Sequence, residues 1–95
     1  MDFEQLKAYL DREAPEEVLL HFGQCVLYVQ TCDEGYDYTF FDLFTRKDLD
    51  GGRIDVEEGD DVNMAEALLR INDGCLSLYQ DIDIMPLDQV EDYMQ

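Results

Sequence analysis

Between Gln24 and Val56 the chain reads QCVLYVQT, CDEG, YDYTFFDLF, TRKDLDGG and RIDV, three β-rich runs divided by two turn signals. β-branched and aromatic residues at this density suit a pleated surface, and short turns join antiparallel neighbours, so the stretch predicts a three-stranded meander. The first run, Gln24 to Thr31, sets Cys25, Leu27 and Val29 on one face and Val26 and Tyr28 on the other. A strand that is apolar on both faces belongs in the middle of a sheet. The second run places Tyr36, Tyr38, Phe40 and Phe44 on one face and Asp37, Thr39, Phe41 and Leu43 on the other, so it too is expected to be internal or covered. Gly35 can take the positive φ that a short hairpin loop requires, and Asp33 can bond back to the turn. Asp50-Gly51-Gly52 reads as a second hairpin turn. After it Ile54 and Val56 alternate with Arg53 and Asp55, the pattern of an edge strand with one wet face.

The flanks read as helices and one more strand. Asp2 can cap a helix in which Phe3, Leu6, Tyr9 and Leu10 fall at helical spacing, with Lys7 and Asp11 positioned as an i,i+4 pair. Ala14-Pro15 ends or interrupts it, because the residue before proline avoids the α region. Val18 to Phe22 is too short for periodicity to choose between a brief helix and an early strand, with Gly23 as the break. Beyond the meander, Val62 to Asn72 carries Met64, Leu68 and Ile71 on one stripe. Asp60 or Asp61 is placed to cap that helix and Gly74 to terminate it. Leu76, Leu78, Ile82 and Ile84 alternate with polar residues and predict a fourth strand; Pro86 followed by Leu87, Val90 and Met94 predicts a short terminal helix. The expected fold is α+β: a three-stranded antiparallel meander plus a fourth strand, with helices packed on one face.

Charge decides what such a domain can touch. The chain carries 24 acids against six lysines and arginines, a formal charge of -18, yet 46% of its 95 residues are hydrophobic, enough to fold rather than remain disordered. One domain spanning residues 1–95 is expected. The amino-terminal stretch lacks a basic, apolar leader pattern and no run is long enough to span a bilayer, which predicts a cytoplasmic protein without membrane contact. Phosphate contacts need positive charge, so direct nucleic-acid binding is disfavoured. Arg46, Lys47 and Arg53 cluster near the second turn, where they are expected to neutralise local acids. From Ile54 onward 12 acids face Arg70 alone, which makes the carboxyl-terminal part the anionic end. Such a field steers basic partners towards it.

Catalytic and metal-binding patterns are thin. His21 precedes Cys25 by four residues, a spacing that could in principle pair base and nucleophile, but neither an orienting group nor an oxyanion motif accompanies them. Ser77 lacks nucleophile-elbow glycines. The three cysteines, Cys25, Cys32 and Cys75, form no CxxC and are odd in number, which argues against zinc and against a disulfide framework. KDLDGGRIDVEE imitates a calcium loop, but aligning Gly52 with its required glycine puts Lys47, Leu49 and Gly51 where oxygen ligands belong. No catalytic residue, metal or cofactor is expected.

The pairing of Tyr36-Asp37-Tyr38-Thr39 with Asp50-Gly51-Gly52, within Val26 to Asp55, resembles the core of the small large-polyvalent-protein-associated domains. That resemblance implies a protein linked to bacterial mobile elements, where such domains occur alone or inside very long chains, and it carries over no catalytic residue. Two functions follow. The first is a non-catalytic protein-interaction module or accessory protein of a mobile element. Its contact surface would be Tyr36, Tyr38 and Phe40, provided these rings are not spent on the core, together with Asp55, Glu57, Glu58, Asp60 and Asp61. The alternative is an acidic DNA mimic that blocks a restriction, CRISPR or repair protein.

Overall fold

The computed structural model describes residues 1–57, 59, 60 and 62–93. Helix α1 (Phe3–Glu13) begins at a reciprocal cap: the Asp2 carboxylate accepts the Gln5 amide at 2.9 Å, and the Gln5 side chain accepts the Asp2 amide at 3.0 Å. It ends at Ala14, which turns left-handed (φ 44°) ahead of Pro15. Phe3, Leu6 and Leu10 are buried, as their spacing predicts. Asp11 reaches Asn63 at 3.3 Å, and the expected Lys7–Asp11 pair does not form.

Four consecutive strands follow: β1 (Glu17–Phe22), β2 (Cys25–Cys32), β3 (Gly35–Asp42) and β4 (Asp48–Asp55). With β5 (Asp83–Met85) they form an antiparallel sheet in the order β4-β3-β2-β1-β5. Val18 to Phe22 is therefore strand. It pairs along its length with β2, and Val18, Leu20 and Phe22 are buried on one face while Leu19 is buried on the other. The meander thus has four strands, one more than the sequence predicts. β2 takes the central place that its two apolar faces demand.

The second turn lies elsewhere than predicted. Asp50, Gly51 and Gly52 sit inside β4, opposite Phe40, Thr39 and Tyr38, and the reversal is made by residues 43–47. Asp42 causes it: its carboxylate accepts the amides of Phe44 at 2.9 Å and Thr45 at 2.8 Å, closing a local turn that ends β3. Phe44 is consequently 75% exposed and does not share the face of Tyr36, Tyr38 and Phe40. The two glycines serve close approach: a Cβ on Gly52 would lie 2.8 Å from the Tyr38 hydroxyl, so the tyrosine ring occupies the space a side chain would fill. An irregularity between Phe40 and Phe41 leaves Leu49 as the extra residue of a bulge.

Helix α2 (Met64–Arg70) is capped by Asn63, whose side chain accepts the Glu66 amide at 2.9 Å, so the cap falls two residues or more beyond the acids expected to provide it. Met64, Ala65, Ala67 and Leu68 are buried, and Gly74 takes the left-handed conformation at the end of the following 3-10 turn, Ile71–Asp73. The alternating run Leu76 to Ile84 is mostly not a strand. Ser77 bonds the Gly74 carbonyl twice, by its hydroxyl at 2.7 Å and its amide at 3.0 Å, which winds Cys75–Leu78 into a 3-10 turn. Only Asp83–Met85 joins the sheet. The chain then forms a 3-10 turn, Leu87–Gln89, and helix α3 (Val90–Tyr93); Met94 lies outside the described residues.

Helices cover both faces. Against Leu20, Leu27, Val29 and Phe40 lie Phe3, Leu6 and Leu10 of α1, Met64 and Leu68 of α2, and Ile71, Leu76 and Ile82 from the segments after it. The other face holds a smaller cluster of Leu19, Val26, Tyr28 and Phe41, closed by Tyr93 of α3. The sequence alone predicts every helix on one side. The second apolar face of β2 requires a cover of its own, and the terminal helix supplies it.

Candidate functional site

The residues singled out from the sequence divide between core and surface. Phe40 is 6% exposed, with its ring edge-on to Phe22 at 6.2 Å and to Tyr38 at 5.9 Å, so it offers a partner no contact area. Tyr36 and Tyr38 are half-buried against the same cluster. Tyr36 acts as a joint: its hydroxyl donates to the Val62 carbonyl at 3.1 Å and ties β3 to the segment entering α2, and burial raises its pKa. Asp55, Glu57 and Asp60 are exposed. Glu58 and Asp61 lie outside the described residues. The carboxylates and the tyrosines therefore share one end of the sheet, with the acids in water and the rings turned inward.

Charge is neutralised on the other face. Arg53 Nε bonds Asp37 Oδ1 at 3.0 Å, and its Nη1 lies 3.6 Å from Glu34, so these acids hold the guanidinium pKa up. This is the local neutralisation expected of the basic cluster. Arg46 instead lies over the Tyr93 ring at 5.9 Å. None of the ion pairs among the described residues includes Asp48, Asp50, Asp55, Glu57 or Asp60. Beside Arg53's row, the Tyr28 hydroxyl lies 2.8 Å from Glu17 and 2.9 Å from Gln30. Burial first, then the Glu17 carboxylate, pushes its pKa up to about 12.

His21 and Cys25 do not meet. His21 is in register with Val26, and Cys25 with Phe22, so the two side chains leave the sheet on opposite faces. His21 rests between the Gly23 carbonyl, 3.1 Å from Nε2, and Asp83, 3.8 Å from Nδ1. Cys25 and Cys75 are half-buried beside the larger cluster, and burial raises the Cys75 thiol. Ser77's hydroxyl is spent on its own turn. Among the described residues, no three of His, Cys, Asp and Glu converge as a metal site would require.

One surface feature has no sequence forecast. Where Pro86 stops β5, β1 runs two residues further, leaving a cleft of about 400 Å³ lined by Tyr9, Pro15, Val18, Ile84, Met85 and Leu87. Proline has no amide to extend the ladder, which was the available signal. No helix among the described residues is long and apolar enough to cross a membrane.

Comparison with curated proteins and with solved structures gives no match. The family model described as large polyvalent protein-associated domain 16 matches residues 13–94, which takes in all five strands and the helices that follow them. The earlier resemblance extended only from Val26 to Asp55. Since the match spans most of the chain, the protein belongs to the large polyvalent protein-associated domain 16 family.

Proposed function

We propose that this domain works by binding rather than catalysis, as an accessory module of large polyvalent proteins of bacterial mobile elements, presenting an anionic surface to a basic protein partner. One observation carries the reading. Asp48, Asp50, Asp55, Glu57 and Asp60 are exposed along β4 and its exit, and none joins an ion pair among the described residues, while Arg53 of the same strand is already held by Asp37 and Glu34. Leaving like charges together costs folding free energy through mutual repulsion, and a partner of opposite charge recovers it on binding. Family membership supports the accessory role. The scarcity of lysine and arginine supports a protein partner over nucleic acid.

The test is affinity purification from the bacterial host with the whole chain immobilised, followed by rebinding of the purified candidate at low and high salt. A basic protein that rebinds directly and is released by salt is the expected result. Binding indifferent to salt, or no direct rebinding, would overturn the electrostatic reading. Displacement of the chain by DNA would instead point to imitation of a phosphate backbone.

A further inference from the structure

We infer that the open edge of the sheet, β4 from Gly51 to Asp55, receives an extended lysine- or arginine-bearing segment of a protein partner as an added strand. This deepens the basic-partner reading and rests on it.

The geometry of the ladder shows which backbone groups are free. The Val56 amide donates to the Glu34 carbonyl at 2.8 Å, and in an antiparallel pair the bonding residues alternate along the strand. In the observed register, Ile54 opposite Tyr36 and Gly52 opposite Tyr38 therefore turn their amides and carbonyls towards β3. Asp55, Arg53 and Gly51 turn theirs outward. Gly51 fits the alternation, since its amide donates to the Asp50 carboxylate at 2.8 Å. Asp50 thus satisfies one outward donor and leaves Arg53 and Asp55 with theirs open. Among the described residues β4 pairs with β3 alone.

Access and charge then select the occupant. Two adjacent glycines put no side chain at the middle of the edge, and the half-buried Tyr38 ring lies over Gly52, where a neighbouring strand's side chain could rest on it. Asp48, Asp50 and Asp55 stand along the strand, and the guanidinium of Arg53 is engaged by Asp37 and Glu34. A second copy of this chain would set the same acids against one another, which opposes edge-to-edge self-pairing. A strand with alternating cations meets complementary charge and unpaired main-chain groups together, the combination that strand addition uses for affinity and selectivity.

The experiment uses the full isotope-labelled chain at low salt with two synthetic peptides. One alternates lysine and threonine; the other has the same sequence with every backbone nitrogen methylated, which keeps charge but removes the donors of both strand edges. The first is expected to slow amide exchange at Arg53 and Asp55. The second should bind roughly tenfold or more weakly, as loss of two main-chain bonds implies, without that protection. Equal binding of both peptides would overturn strand addition while leaving electrostatic recruitment intact. Protection at the β5 edge instead of β4 would also overturn it. Failure of both peptides to bind at low salt would remove the basic-partner reading as well.

Discussion

Gly35→Ala probes the junction on which the acidic end depends. Gly35 has φ +152°, and a Cβ built there would lie 1.9 Å from the Ile54 carbonyl oxygen and 3.1 Å from the Val56 nitrogen. Both are backbone atoms of the β4 strand and its exit, so no side-chain rearrangement relieves the overlap. The end of the ladder must part, giving up the 2.8 Å bond from Val56 to Glu34. Holding a non-glycine residue in a sparsely populated backbone region costs about 1–3 kcal/mol, and the lost bond adds about 1 kcal/mol, so roughly 3 kcal/mol is expected. Gly59→Ala is the matched control: its φ is +94° but, among the described residues, nothing lies within 4 Å of the added carbon. Only the backbone term applies there, about 1 kcal/mol. In urea unfolding, with a slope of about 1 kcal/mol per molar for a small domain, Gly35→Ala should lower the midpoint by roughly 2 M more than Gly59→Ala. Equal midpoints for the two variants would refute the close approach of β4 to Gly35.

Tyr93→Ala should destabilise by roughly 3 kcal/mol, since it removes the ring packed 5.6 Å from Phe41 that closes the smaller core; urea unfolding checks it. Asp42 accepts the Thr45 and Phe44 amides, which lower its pKa from 3.8, so its stabilising contribution is present above that value and is lost as pH falls through the lower folded pKa. The stability difference between wild type and Asp42→Asn should therefore shrink on acidification, whatever the other carboxylates do to both proteins alike. Tyr28 behaves in the opposite sense. Its pKa rises from 10.0 to about 12 in the fold, so its contribution is complete below 10.0 and disappears as pH climbs towards 12; Tyr28→Phe should flatten that part of the alkaline unfolding curve.

Local chemistry made much of the fold legible. The Asp2 cap, the two-faced apolar pattern of β2, the alternation in β3 and the stripe Met64, Leu68 and Ile71 all appear where side-chain spacing puts them. What was not legible depended on distant contacts. Asp50-Gly51-Gly52 carries every local mark of a turn, yet Tyr38 occupies the space above Gly52, and Asp42, eight residues earlier, had already made the reversal. Leu76 to Ile84 alternates like a strand, but Ser77 offers its backbone a local partner before the sheet can. For the candidate site, the acids were plain in composition, whereas the spending of Phe40 on the core depended on Phe22 arriving from the neighbouring hairpin.

The two rims of the sheet are defended by different physics. At β5 the defence is geometric: the strand is three residues long, Pro86 follows it without an amide, and Ile82 just before it exchanges bonds with Met1 at 2.8 and 2.9 Å. A rim of that kind turns away any strand, whatever its charge. At β4 the strand is eight residues long, and apart from the bulge at Leu49 and the Asp50 bond to Gly51 its protection is the sign of its side chains. Protection by sign is selective, because it repels chains with this protein's own surplus of acid and attracts those with the opposite surplus. Replacing Asp48, Asp50 and Asp55 together by lysine should therefore reverse the preference, so that acidic alternating peptides protect Arg53 and Asp55 and basic ones do not. If the triple variant retained its preference for basic peptides, the selectivity would have to reside outside the β4 edge.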